Sequence, residues 1–215
     1  AIAMSLLLGA CAGGGNRLGA MTDDGLREIT FQSLEYLAMK PGVNLSVYNT
    51  VHLKPTSVDF ASSWKPTQTG SRIAMSVADQ DRLRQDMGEQ FDRALRDAID
   101  ANPRLTIVDA PAPGALVLTP RLFDVKLTGT NNRSQPVETV SRNSSRVSLE
   151  LELVDAGNSE LLARIKDKRI GAATVGGPTS STGTAVELDR IFSAWASFVG
   201  DGLLMFALKA DNEKQ

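Results

Sequence analysis

The run of residues 145–154 constrains the fold most. In it Val147, Leu149, Leu151 and Leu153 alternate with Ser148, Glu150 and Glu152. Successive side chains of a strand point to opposite sides, so this run predicts a strand with one buried and one wet face. Asp155-Ala156-Gly157-Asn158 supplies turn chemistry, after which Leu161, Ala163 and Ile165 alternate with Leu162, Arg164 and Lys166. The two runs read as an antiparallel hairpin that sets Arg164, Lys166 and Lys168 across from Glu150 and Glu152.

Two helices can cover the apolar face. Leu83, Met87, Phe91, Leu95 and Ile99 recur every four residues with Ala94 and Ala98 alongside, capped by Ser76 or Asp79 and ended by Asn102-Pro103. Charges from Asp81 to Asp97 occupy the other side and read as a solvated surface. A final helix from about Ala185 should bury Leu188, Ile191, Phe192, Trp195, Val199 and Leu203, and Gly200 and Gly202 predict a bend or an end.

Further strands are expected over residues 47–53, 105–108 and 115–127, with Pro120 demanding a bulge, a break or an edge position. A helical turn or two is expected over residues 22–37, ahead of Pro41-Gly42. Residues 59–75, 131–143 and 171–184 carry no apolar period and read as loops. The order predicts an α+β fold: a single domain over residues 22–210, a mixed, mostly antiparallel sheet with two main helices on one face, and a polar tail at 211–215.

With 42% hydrophobic and 22% charged residues, the 215-residue chain can bury a real core. A net charge of −2 with scattered Lys and Arg gives no footprint for nucleic acid. The one cysteine excludes an internal disulfide, a cysteine-based zinc cluster and a CxxC pair, and the one histidine excludes a site with two imidazoles.

Residues 1–10 are small or apolar and uncharged, of signal-peptide length and too short to span a bilayer. The chain starts at Ala1 rather than Met, so its start and a basic leader are expected upstream. Leu8-Gly9-Ala10-Cys11 resembles the lipobox of bacterial lipoproteins at all four positions. The resemblance implies cleavage between Ala10 and Cys11, a thioether-linked diacylglycerol on the sulfur and an acyl chain, such as palmitate, on the new amine. Ala12, where Asp would favour inner-membrane retention, leans towards an outer-membrane location facing the periplasm. Gly13, Gly14 and Gly15 read as a flexible tether within residues 11–21; the Lys and Ser or Thr of a phosphate loop are not placed after them.

The whole pattern resembles a family of uncharacterised bacterial lipoproteins classified as a domain of unknown function. The resemblance rests on residues 36–42, 48–55, 83–99, 147–169 and 191–199. It implies an envelope location more readily than an activity.

No catalytic constellation emerges. His52, on a predicted strand, reads as a strand residue with one hydrogen-bond partner, and no G-x-S-x-G elbow exists. Glu150 and Glu152 could hold a cation or do acid–base work, but the bases opposite favour cross-strand pairing. Trp64, in a predicted loop, is the candidate partner contact; Trp195 falls on the core stripe. No metal or cofactor is expected. The leading expectation is a non-catalytic, lipid-anchored envelope protein that binds another envelope protein or a cell-wall component. The alternatives are an accessory lipoprotein of a lipid or solute transport system and a wall or lipid hydrolase.

Overall fold

The computed structural model describes residues 17–31, 33–65, 74–127, 145–171 and 181–212, with side chains of the last segment described between 184 and 203. Cys11, Ala10, the glycine cluster and the loop expected at 131–143 lie outside the described residues.

The predicted hairpin is there and stands inside the sheet: Arg146–Asp155 pairs antiparallel with Leu161–Ile170, placing Glu150 opposite Lys166, Leu151 opposite Ile165 and Glu152 opposite Arg164. In chain order the strands are β1 (Arg17–Met21), β2 (Arg27–Thr30), β3 (Tyr36–Met39), β4 (Thr50–Leu53), β5 (Ser57–Phe60), β6 (Thr106–Ile107), β7 (Ala115–Lys126), β8 (Arg146–Asp155) and β9 (Leu161–Ile170). They lie in the order β1-β2-β3-β9-β8-β7-β4-β6, with β5 beside the far part of β7. Pairings of β4 with β6 and β7, and of β5 with β7, are parallel; the others are antiparallel. The fold is α+β with a mixed, mostly antiparallel sheet, as the element order predicts.

Pro120 occupies a local edge position. β4 pairs with residues 115–118 of β7 and β5 with residues 121–125, so Pro120 falls in the gap between them, where its missing N–H costs no ladder bond. β7 thus runs unbroken past its proline. Further along, its register with β8 shifts between Phe123 and Lys126, and Asp124 there takes a φ of 49°.

Two helices, α1 (Val77–Asp100) and α2 (Ser181–Asn212), cover one face of the sheet. Ser76 caps α1 by accepting from the Asp79 amide at 3.1 Å. Met87, Phe91, Leu95 and Ile99 of α1 are buried as their spacing predicts, against Leu188, Ile191, Phe192, Trp195 and Val199 of α2. The aromatic rings mesh, with the Phe91 centroid 5.1 Å from Phe192 and 6.1 Å from Trp195. Leu116, Leu118, Leu122, Val147, Leu149, Leu151 and Leu153 of β7 and β8 close the same core from the sheet side.

Glycines let the backbones approach. A Cβ on Gly88 of α1 would meet the Thr56 carbonyl oxygen at 2.9 Å, and the same short connection donates its Thr56 amide and hydroxyl to the Asp92 carboxylate. Burial raises the Asp92 pKa against the opposing pull of these Thr56 bonds. A Cβ on Gly200 of α2 would meet the Ala98 carbonyl oxygen of α1 at 2.9 Å. Gly200 therefore marks the helix crossing, and α2 continues through Gly200 and Gly202, where the sequence predicted a bend or an end.

Other expectations are corrected. Residues 22–37 form no helical turn; they carry β2 and the start of β3, because four-residue strands show too few alternations to declare a period. β1 takes in residues 17–21, which by composition alone belong to the tether, so folded structure begins six residues after Cys11. Residues 57–60, which overlap the start of the loop expected at 59–75, form β5. In the stretch 47–53 a 3₁₀ turn (Leu45–Val47) precedes a shorter strand, leaving Val47 exposed. The tail begins later than residue 211, since α2 reaches Asn212.

Gly88→Ala and Gly200→Ala should each destabilise the protein by about 1–3 kcal/mol through backbone contact. Gly202→Ala meets nothing within 4 Å and should stabilise by up to about 1 kcal/mol through helix propensity. Urea unfolding of the three variants checks the opposite signs.

Candidate functional site

The face of the sheet away from the helices gathers the chain's candidate chemistry. Along β8 and β9 the polar half of each alternation points here, and the turn between β1 and β2 folds over it. Gly25, at φ 79°, tightens that turn, in which the Thr22 hydroxyl accepts from the Leu26 amide at 3.0 Å. The turn buries Leu26 completely and carries Asp24 to Arg164.

Arg164 organises the face. Its Nε and one terminal nitrogen donate to Glu152 Oε1 at 3.0 and 2.8 Å, while the other terminal nitrogen pairs with Asp24. Lys166 Nζ lies 2.9 Å from Glu150 Oε1, and Arg121 of β7 donates to Asp59 of β5 at 2.8 Å. Hydrogen bonds from Thr22 and then Arg164 hold the Asp24 carboxyl below the usual range. Burial works against the Arg164 charge, yet its bonds to Glu152 and Asp24 raise its pKa.

Of the two roles open to Glu150 and Glu152, the geometry supports cross-strand pairing. Each is bound to a base on the neighbouring strand, which leaves neither positioned as a free general base. Among the described residues no group of three or more His, Cys, Asp or Glu side chains could hold a metal ion.

His52 lies on this face of β4 with its Nδ1 3.1 Å from the Val108 carbonyl, a strand residue with a hydrogen-bond partner as expected. Trp64 is half-buried: its indole N–H donates to the Leu127 carbonyl at 2.9 Å and its ring lies 4.4 Å from Phe60. Its polar handle is therefore engaged within the domain.

Two polar sites escaped the sequence. On the helix side, Asp167 is buried, 6% exposed, and its carboxylate accepts from Trp195 Nε1 at 2.7 Å, from Arg169 Nε at 2.6 Å and from the Glu35 amide at 3.1 Å. Continuing the alternation from Ala163 and Ile165 puts Asp167 on the apolar face, and that misplaced charge was the available signal. At the hairpin end of the sheet, the Tyr48 hydroxyl donates to Asp155 at 2.5 Å, while the other Asp155 oxygen accepts from the Gly157 and Asn158 amides. Burial and the bond to Asp155 push the Tyr48 pKa up to about 12, and the Tyr48 bond, with the Gly157 amide, lowers that of Asp155.

A small apolar cavity lies under α2, lined chiefly by Leu37, Met39, Ile165, Phe198 and Leu203. Its lining is wholly apolar. No described helix is long and apolar enough to cross a membrane.

The family described as "Protein of unknown function (DUF3313)" matches residues 19–199. No curated protein matches the chain. Among solved structures, the chain is similar to the PelC dodecamer from Paraburkholderia phytofirmans, at 15% identity and a TM-score of 0.44, over 78% of this chain and 95% of that one. It is similar at 10% identity and a TM-score of 0.44 to a DUF330 protein from Xanthomonas campestris, over 81% and 93%. Rare lipoprotein B from Shewanella oneidensis is similar at 16% identity and a TM-score of 0.29, over 78% and 100%.

Asp167→Leu should strand the Trp195 indole N–H, the Glu35 amide and Arg169 together and cost about 3–5 kcal/mol, with a shift in Trp195 fluorescence. Asp167→Asn keeps an acceptor and should cost less. The Tyr48 pKa is raised on folding, so its contribution is full below the unfolded tyrosine value near pH 10 and fades as pH rises towards about 12. The Asp155 pKa is lowered, so its contribution is present above the ordinary carboxylate range and fades as pH falls. Tyr48→Phe should flatten the alkaline limb of a thermal-stability profile and weaken the acid one.

Proposed function

The chain belongs to the DUF3313 family of proteins of unknown function, and on that premise we propose that it is a lipid-anchored envelope protein whose domain binds another envelope component without catalysis. The observation that carries this is the spacing of Leu8-Gly9-Ala10-Cys11 from the fold: the lipobox-like run stands immediately before a glycine cluster, and β1 begins at Arg17. Diacylglycerol on Cys11 together with an amide-linked acyl chain would give lasting attachment, since one chain alone anchors marginally. Ala12 supports placement in the outer membrane, facing the periplasm.

The organisation of the open face supports the non-catalytic part. Its carboxylates are tied to Arg164, Lys166 and Arg121, an arrangement that presents a fixed, mixed-charge surface. Such a surface suits recognition through electrostatic complementarity.

Cys11→Ser should abolish incorporation of a radiolabelled fatty acid and release the protein from the membrane fraction of cells expressing the full precursor. Unchanged labelling and fractionation would sink the anchor. In-cell photocrosslinking from positions 64 and 121 should capture a reproducible protein or cell-wall partner. Recovery of monomer alone from both positions counts against binding.

A further inference from the structure

The strand that follows Cys11 most closely in sequence carries an uncovered apolar pair. β1 is the terminal strand, and its Leu18 and Met21 are 68% and 50% exposed. Three positions apart on a regular strand, they would face opposite ways. Here the register shift between them inserts an extra residue, so Leu18 stands opposite Ile29 and Met21 opposite Arg27, two positions of β2 that share one face. The bulge therefore brings both apolar side chains to the same side. Arg27 shares that side and makes no ion pair among the described residues. The other exposed large apolar side chains among the described residues, Val47, Val77, Ile170 and Val186, lie on four different elements.

We infer that this edge, through Leu18, Met21 and Arg27, seats the domain on the lipid surface. The inference rests on the lipid anchor at Cys11. Seven peptide units join Cys11 to Leu18, and whatever path they take they span at most about 25 Å. The bilayer is thus held beside β1 continuously, at a high effective concentration that no freely diffusing partner shares. Two apolar side chains with a neighbouring cation match the chemistry of a headgroup layer, where methylene surface lies just beneath phosphate. The anchor then restricts which way the domain faces, and the open sheet face and α1 are held in a defined orientation to the membrane.

The single cysteine makes a direct test possible, because the thioether occupies Cys11 and any cysteine added elsewhere is the one free thiol. Leu18→Cys, Met21→Cys and Val77→Cys are introduced separately into the full precursor. Each mature lipidated protein is labelled with an environment-sensitive fluorophore and reconstituted into phosphatidylethanolamine–phosphatidylglycerol vesicles containing nitroxide lipid. Intact mass reports the lipid on Cys11 independently. The expected result is lipid on Cys11 with quenching at positions 18 and 21 several-fold stronger than at 77. Lipid on Cys11 with equal quenching at all three positions overturns the seating and leaves the anchor standing. Protection of positions 18 and 21 from aqueous iodide without lipid quenching, with crosslinks between copies, overturns it in favour of strand pairing between two chains. Absence of lipid on Cys11 overturns both anchor and seating.

Discussion

The buried carboxylate of Asp167 ties helix α2 and the opening of β3 to β9 at one point. Asp167 stands on the helix side of β9, and its carboxylate receives the indole N–H of α2 and the backbone amide that opens β3. A charge at that depth is tolerated only when hydrogen-bonded on each side, and here Arg169 supplies the countercharge while also donating to the Ser33 carbonyl. The bond thus sets the height of α2 over the sheet and the register at which β3 joins β9. A leucine in the same place would satisfy the apolar alternation and lose that alignment.

Around this anchor the packing follows from backbone proximity. Gly88 lets α1 descend onto the β4–β5 connection, and Gly200 lets α2 cross α1 against Ala98. The two helices can then bury Phe91, Phe192 and Trp195 between them as a closely packed aromatic group. On the opposite side of the sheet, Arg164 ties Glu152 to Asp24 and so binds β8, β9 and the β1–β2 turn together. Exposed pairs of this kind contribute little individually, but a shared guanidinium at their centre gives the face a fixed pattern of charge.

Long periodic segments were legible in the sequence: the β8–β9 hairpin, the α1 stripe and the burial of Trp195 follow from alternation or four-residue spacing. The glutamates of β8 were legible too, because opposite charges faced them across a hairpin whose register the turn defined. The four-residue strands β2, β3 and β5 were not, since strands so short are decided by distant partners such as β9 and β7. Gly200 misled because a helix interior penalises glycine locally, whereas here a tertiary contact demands it. The Tyr48–Asp155 bond joins residues 107 positions apart, beyond anything that local spacing encodes. Trp64 sits on a segment without period, and its commitment to Leu127 depends on where β7 ends.

The pairing of β3 with β9 has a kinetic meaning as well. Glu35 and Asp167 are separated by 132 positions, so strands β1 to β3, on emerging from a ribosome or a membrane pore, find their permanent neighbour only when the long intervening stretch has followed. Until then the β1–β3 meander lacks the helix that covers its apolar side, and a small uncovered sheet is marginal in water. Such wiring delays commitment: the β1–β3 segment remains threadable while the intervening chain arrives, and the sheet closes on it only once β9 is in place.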